Sequence, residues 1–155
     1  RKSMLLYTGE EEEQEEEELL RLLLNSLYLL SKGADPVHVK LVFELRCASV
    51  SGFMPDFETC AVCGKDEPGW IDVHGGRLVC ASCADRPAPD SFYLDAAAKD
   101  ALRHVFYAPL RRIFSFQLSG AAQEQLSRFA ERFLLEQTDE RFATLAFYRS
   151  LQNPV

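Results

Sequence analysis

Apolar residues crowd one early stretch of the chain. Leu19, Leu20, Leu22, Leu23, Leu24, Leu27, Leu29 and Leu30 all fall between positions 19 and 30. At helical spacing they cover more than half of the circumference, which predicts a helix over 16–32 placed centrally in the core. Lys32 suits its last turn and Gly33 its C-cap. Asp35-Pro36 then reads as the N-cap and first turn of a second helix. It runs to about Val50, carrying Val39, Val42, Phe43, Leu45, Arg46 and Cys47, and Gly52 ends it. Asp95 caps a third helix over 96–107, with Leu102, Val105 and Phe106 on its apolar side and Pro109 beyond its end. The stretch from Leu110 to Leu118 sets Ile113, Phe114 and Phe116 beside Arg111 and Arg112, a pattern that fits a short helix or an irregular loop. Ser119 caps a fourth helix over 120–137, whose Leu126, Phe129, Ala130, Phe133 and Leu134 keep the three-four spacing of a buried stripe. Asp139 caps a last helix with Phe142, Leu145, Ala146 and Tyr148 or Arg149 on its faces. The pattern predicts a mainly α fold, a bundle of about five helices.

One segment breaks the helical period. Cys60-Ala-Val-Cys63-Gly64 is answered by Cys80-Ala-Ser-Cys83, with sixteen residues between Cys63 and Cys80. Two CxxC pairs at that distance close one tetrahedral zinc site, each pair presenting two thiolates from a single tight turn. The intervening residues supply the scaffold. Trp70 to Val73 reads as a short strand, His74-Gly75-Gly76 as a turn, and Arg77 to Val79 as the return strand. The expectation is an inserted β-hairpin holding one structural Zn2+ through Cys60, Cys63, Cys80 and Cys83, since four thiolates leave no open position for a catalytic water. Two other arrangements compete: a pair of disulfides, for which no thioredoxin-like βαβ pattern is present, and His74 as a ligand in place of a cysteine. Cys47, with no CxxC partner, reads as a small buried hydrophobe.

Composition narrows the picture. Of 155 residues, 47% are hydrophobic, enough for a real core. The formal charge of −7 is concentrated in the eight glutamates of Glu10–Glu18, and the rest of the chain is close to neutral. Residues 1–18 are therefore taken as an acidic lead-in or linker, and 19–155 as a helical domain with the zinc hairpin at 57–85. Residues 99–155 are slightly basic, and Lys99, Arg103, Arg111 and Arg112 are the candidate rim of a partner or DNA site. This is not the strong basic footprint of an autonomous nucleic-acid binder. No apolar run reaches bilayer length and no signal peptide opens the sequence, so no membrane association is expected. With metal-type cysteines, the expected location is cytoplasmic.

Catalytic patterns are missing. No Gly-rich phosphate loop, G-x-S-x-G, H-E-x-x-H or EF-hand motif occurs. His38, His74 and His104 stand apart from any nucleophile at triad spacing, and the first and last read as packing residues on helices. The run Arg111-Arg112-Ile113-Phe114-Ser115-Phe116 fits a core segment with basic flanks better than a base-stacking surface. The chain is expected not to be an enzyme.

Several strings taken together carry a family signature. Leu22-Leu-Leu-Asn-Ser-Leu-Tyr28 precedes Asp35-Pro36; then come Val42-Phe-Glu-Leu-Arg46, Gly52-Phe-Met-Pro55 and Cys60-Ala-Val-Cys-Gly64. Phe114-Ser-Phe-Gln-Leu-Ser119 and Arg141-Phe-Ala-Thr-Leu145 follow. Over residues 15–150 this resembles the C-terminal helical, zinc-bearing part of the bacterial RecO family. The resemblance implies a DNA repair and homologous recombination mediator, nucleoid-associated and without enzymatic activity. Such proteins bind single- and double-stranded DNA, anneal strands and, with RecR, help load RecA onto strands coated by single-stranded-DNA-binding protein (SSB). It further implies that this domain receives the acidic, Phe-ended C-terminal tail of SSB in a hydrophobic groove with Arg or Lys at its mouth. Two departures stand out. The family's N-terminal oligonucleotide-binding barrel, its main DNA surface, has no counterpart among these residues. Ala143 and Ala146 occupy positions where relatives carry a lysine and an acid. A zinc-ribbon adaptor in transcription and a direct nucleic-acid-binding module are the alternative functions.

Overall fold

The computed structural model describes residues 9–152, without the side chains of 140–149, 151 and 152. The chain runs α1 (Gly9–Ser31), α2 (Pro36–Val50), β1 (Gly69–Asp72), β2 (Leu78–Cys80), β3 (Ser91–Leu94), α3 (Ala96–Tyr107), a 3-10 turn at Leu110–Arg112, and α4 (Gly120–Gln152). The mainly α expectation with an inserted hairpin is met, with four α-helices rather than five. The two helices expected over 120–137 and after Asp139 form one rod of 33 residues. Asp139 follows on from Gln137 and Thr138 without a Gly, Pro or turn to break the backbone ladder, so its N-cap propensity is overridden. The faces expected for Phe142, Leu145, Ala146, Tyr148 and Arg149, and the departures at Ala143 and Ala146, lie outside the described side chains, as does the start of the lead-in.

The helix boundaries follow local chemistry. α1 begins earlier than expected: the glutamates from Glu10 onward are helical, with carboxylates favoured by the N-terminal end of the dipole. Its other end closes by paired backbone bonds, Ala34 N–H to Leu29 O at 3.0 Å and Gly33 N–H to Leu30 O at 3.1 Å. Asp35 caps α2 by accepting from Val37 N–H at 3.1 Å, and Asp95 caps α3 by accepting from Ala98 N–H at 2.8 Å.

α1 is not the centre of the core. That place belongs to α2, which packs on α1, α3 and α4. The leucine wheel of α1 divides into two faces. Leu22 and Ser26 are buried, with Leu19 and Leu29 half-buried beside them, while Leu20, Leu23, Leu24, Leu27, Tyr28 and Leu30 are exposed. Leucine count alone could not separate a helix surrounded by protein from one with a single covered face. The core itself unites Leu41, Val42 and Leu45 of α2 with Leu102 and Val105 of α3, Leu126 and Phe129 of α4, and Ile71, Leu78 and Leu94 of the sheet. Cys47 packs against this cluster, as expected of a small hydrophobe.

Arg46, at the end of the Val42–Arg46 string, ties two helices together. Its Nη1 donates to the carbonyls of Val105, Phe106 and Ala108 at 2.9, 3.2 and 3.1 Å. A guanidinium at the C-terminal end of α3 meets both the orphan carbonyls and the negative end of the dipole. His38 and His104 make similar local ties, to Phe114 O at 3.0 Å and Arg112 O at 2.6 Å, and hold the irregular 110–118 segment against α2 and α3.

The two faces of α1 predict opposite mutational responses. Leu22→Ala, at a fully buried position, is expected to cost about 2–5 kcal/mol in urea denaturation. Leu24→Ala, at 56% exposure, is expected to shift stability by less than about 0.5 kcal/mol. Equal losses at the two sites would contradict the burial described here.

Candidate metal centre

The sheet has the order β2-β1-β3, antiparallel throughout. Its third strand was not foreseen in the sequence, although Phe92 and Tyr93 between a proline-bearing loop and a helix cap are a strand signal of the ordinary kind. Ile71, Leu78, Cys80 and Leu94 are buried, which sets the hairpin against the helical body. Gly69 pairs with Cys80, and any side chain at Gly69 would run into the backbone of Val79 and Cys80. Glycine is thus required where two strands approach beside a cysteine.

The four cysteines converge. Cys60, Cys63, Cys80 and Cys83 place their sulfurs within 4.8 Å of one another, and none is in a disulfide. The Cys63 and Cys80 sulfurs are 3.7 Å apart. A zinc ion with sulfurs at about 2.3 Å spans a tetrahedron whose edge is roughly 3.8 Å, so the spacing fits that ion. Each pair is shaped by its own turn. Gly64 N–H bonds to Cys60 O at 2.9 Å with Gly64 at φ +75°, a left-handed conformation that favours glycine. In the second pair, Cys83 N–H and Ala84 N–H both bond to Cys80 O at 3.0 Å. The Cys60 sulfur accepts from the amides of Val62, Cys63 and Cys80 at 3.3, 3.5 and 3.3 Å.

These amides have an electrostatic consequence. Donation from Cys63 and Cys80 lowers the Cys60 thiol to about 6. Cys83 is pushed up to about 12, first by its hydrogen bond with Cys80, then by burial and the neighbouring thiols. The Cys60 sulfur therefore takes a negative charge readily, while Cys83 beside it resists one. A divalent cation removes that conflict, because thiolate ligation is what it stabilises. The donor set is all sulfur, closed and partly buried, which suits a structural zinc.

His74 is not part of this cluster. Its ring nitrogens lie 3.0 Å from Asp90 Oδ2 and 3.1 Å from Glu136 Oε2, at the other end of the hairpin. Two of the four candidate rim residues are also engaged. Lys99 is only 2% exposed and donates to Asp66 Oδ1 at 2.7 Å, Glu67 O at 2.9 Å and Glu58 O at 3.1 Å. Arg103 pairs with Asp66 at 2.7 Å, Asp100 at 2.8 Å and Glu58 at 3.5 Å. Lys99 does not stand at a solvent rim. It is a bracket, gripping both ends of the 58–67 loop that carries Cys60 and Cys63. The two cations hold the Asp66 carboxyl below the usual carboxylate range, the Lys99 hydrogen bond contributing most. Arg111 and Arg112 are exposed on the 3-10 turn and make no ion pair among the described residues. The bracket escaped sequence reading because its acceptors are two backbone carbonyls and an acid some thirty residues away.

Lys99→Met strands the carbonyls of Glu58 and Glu67, and is expected to cost about 1–3 kcal/mol in urea denaturation. Zinc added to it is expected to exchange faster with a chelator than zinc added to the unaltered protein. Gly69→Ala is expected to disrupt the hairpin, seen as loss of Trp70 fluorescence anisotropy while helical circular dichroism persists. A hairpin that keeps its order with alanine there would refute the close strand approach.

No helix among the described residues is long and apolar enough to cross a membrane. The family described as "Recombination protein O C terminal" matches residues 3–146. The chain is 29% identical over 135 residues to "DNA repair protein RecO" of Acetivibrio thermocellus, covering 85% of the chain and 53% of that relative. It is 28% identical over 139 residues to the protein of the same name from Symbiobacterium thermophilum, covering 85% and 54%. Over a shorter stretch of 68 residues it is 44% identical to the RecO of Caldicellulosiruptor saccharolyticus, covering 43% and 28%. The chain therefore spans about half the length of such relatives. With a family match across nearly all of its length, this chain belongs to the family of RecO C-terminal domains.

Proposed function

We propose that this domain is the non-enzymatic docking platform of a DNA repair and recombination mediator, its hairpin fixed by one structural zinc on Cys60, Cys63, Cys80 and Cys83. The zinc would supply only cross-linking: a closed shell of four thiolates offers no position for substrate or water. Binding of structural zinc by small modules contributes on the order of 10–16 kcal/mol, enough to order a hairpin whose own loops have little to pack on. Lys99 and Arg103 would then pass that order to α3.

The observation that carries the docking role is a groove between α1 and the 3-10 turn. It has a volume of about 330 Å³ and is lined by Tyr28, Leu29, Leu110 and Phe114, with Arg111 on its wall. Its lining contains no acid, and Arg111 has no ion-pair partner among the described residues. An apolar floor with an unpaired guanidinium suits an acidic peptide ending in an aromatic residue, the chemistry of the SSB tail. RecR is the further partner expected, with DNA contact secondary to a surface elsewhere in the longer relatives.

Metal analysis of freshly purified protein is expected to find about one zinc per chain, retained by its closed thiolate shell. Cys60→Ser with Cys63→Ser should release it and broaden the unfolding transition. Zinc-free protein that folds cooperatively would remove the metal from this reading. A labelled peptide copying the acidic, Phe-ended tail should bind at low salt and weaken at high salt. Arg111→Glu is expected to lower its affinity at least tenfold, about 1.4 kcal/mol. Unchanged affinity would exclude this groove. Steeply salt-dependent binding of single strands without peptide binding would identify a nucleic-acid module instead.

A further inference from the structure

His74 sits in the turn between β1 and β2, and both of its ring nitrogens face carboxylates: Nε2 faces Asp90 at 3.0 Å and Nδ1 faces Glu136 at 3.1 Å. A neutral imidazole has one N–H and one lone pair. It can donate to one carboxylate but must turn a lone pair on the other; only the imidazolium donates to both. The two acids belong to different parts of the fold, Asp90 to the loop before β3 and Glu136 to α4. Arg132, one turn before Glu136 on α4, reaches the same Asp90 oxygen at 3.2 Å. Asp90 is the one non-glycine residue at positive φ among the described residues, at +58°. A strained backbone thus holds the carboxylate where both cations meet it.

We infer that His74 is a proton-operated clasp: as imidazolium it donates to both acids and fastens the tip of the hairpin to α4, and as neutral imidazole it keeps only one of the two contacts, so the tip loosens. Below the tip lies a cleft of about 230 Å³, walled by Phe53 and Phe133 and by Gln137. Gln137 is buried, and its Oε1 has no donor among the described residues. The remaining charged groups around the turn do not replace His74. Asp72 accepts the Gly75 amide within the turn, while Asp56 and Arg77 line the cleft without forming an ion pair among the described residues.

The direction of the response follows from the charges. The Glu136 contact, then the Asp90 contact, hold His74 above the ordinary histidine value. A group raised on folding stabilises fully below its unfolded value, about 6.5, and loses that contribution as pH rises through the folded value. The tip therefore loosens on the alkaline side. All three side chains are partly solvated, so added salt weakens the clasp.

The test is NMR on the intact chain, following the His74 ring protons and the Gly75 and Gly76 amides from pH 5 to 9. His74 is expected to titrate above about 6.5. Glu136→Gln should move its midpoint back toward that value. Protection of the two glycine amides, corrected for intrinsic exchange, should fall through the His74 midpoint in the unaltered protein and stay flat in His74→Gln. A His74 midpoint at or below the ordinary value, or amide protection indifferent to that midpoint, would overturn the inference. Should His74→Gln fail to fold, the Glu136→Gln midpoint and its amide profile decide the matter alone.

Discussion

Four sulfurs gathered within 4.8 Å of one another set the terms for the rest of this molecule. The 57–85 segment is rich in exposed residues, and its short strands present only one covered face. Such a segment has too little apolar surface to offset the entropy of fixing its backbone. The convergence of the four cysteines marks where the missing constraint would be applied. Amides point at Cys60, glycine relieves the strand contact, and an ammonium from α3 grips the loop at both ends.

Much of this was legible in the sequence, for reasons that differ by element. The CxxC spacing is a short-range geometric rule, and it located the four-cysteine cluster residue by residue. Asp35-Pro36 and Asp95 marked helix starts because capping is decided by a few adjacent atoms. What was hidden depends on long-range partners. Lys99 looked like a surface cation until its acceptors, fixed by the folding of a loop some thirty residues upstream, surrounded it. The leucines of α1 looked like core because composition does not say how many neighbours a helix has. Asp139 looked like a cap because propensity favours one there, yet the helix already running from Gly120 outweighed it.

The helical body divides its labour. α2 meets each of the other helices, and Arg46 on α2 closes the end of α3. The Val42–Arg46 string therefore matters through two side chains of opposite character. Leu45 is buried in the core, while Arg46 satisfies carbonyls that would otherwise face the interior of the bundle. α3 in turn grips the cysteine loop through Lys99. The cysteine loop, α3 and α2 form a series whose two joints, Lys99 and Arg46, are hydrogen-bonded cations.

Gly69 shows how far the demands of an inorganic centre reach beyond its ligands. It donates no electrons and touches no ion, yet a single added methyl at that position would collide with the neighbouring strand. The set of inherited changes able to ruin this domain is accordingly larger than its cysteines, and a survey of natural variants that scored only the thiols would pass over one of its most vulnerable codons.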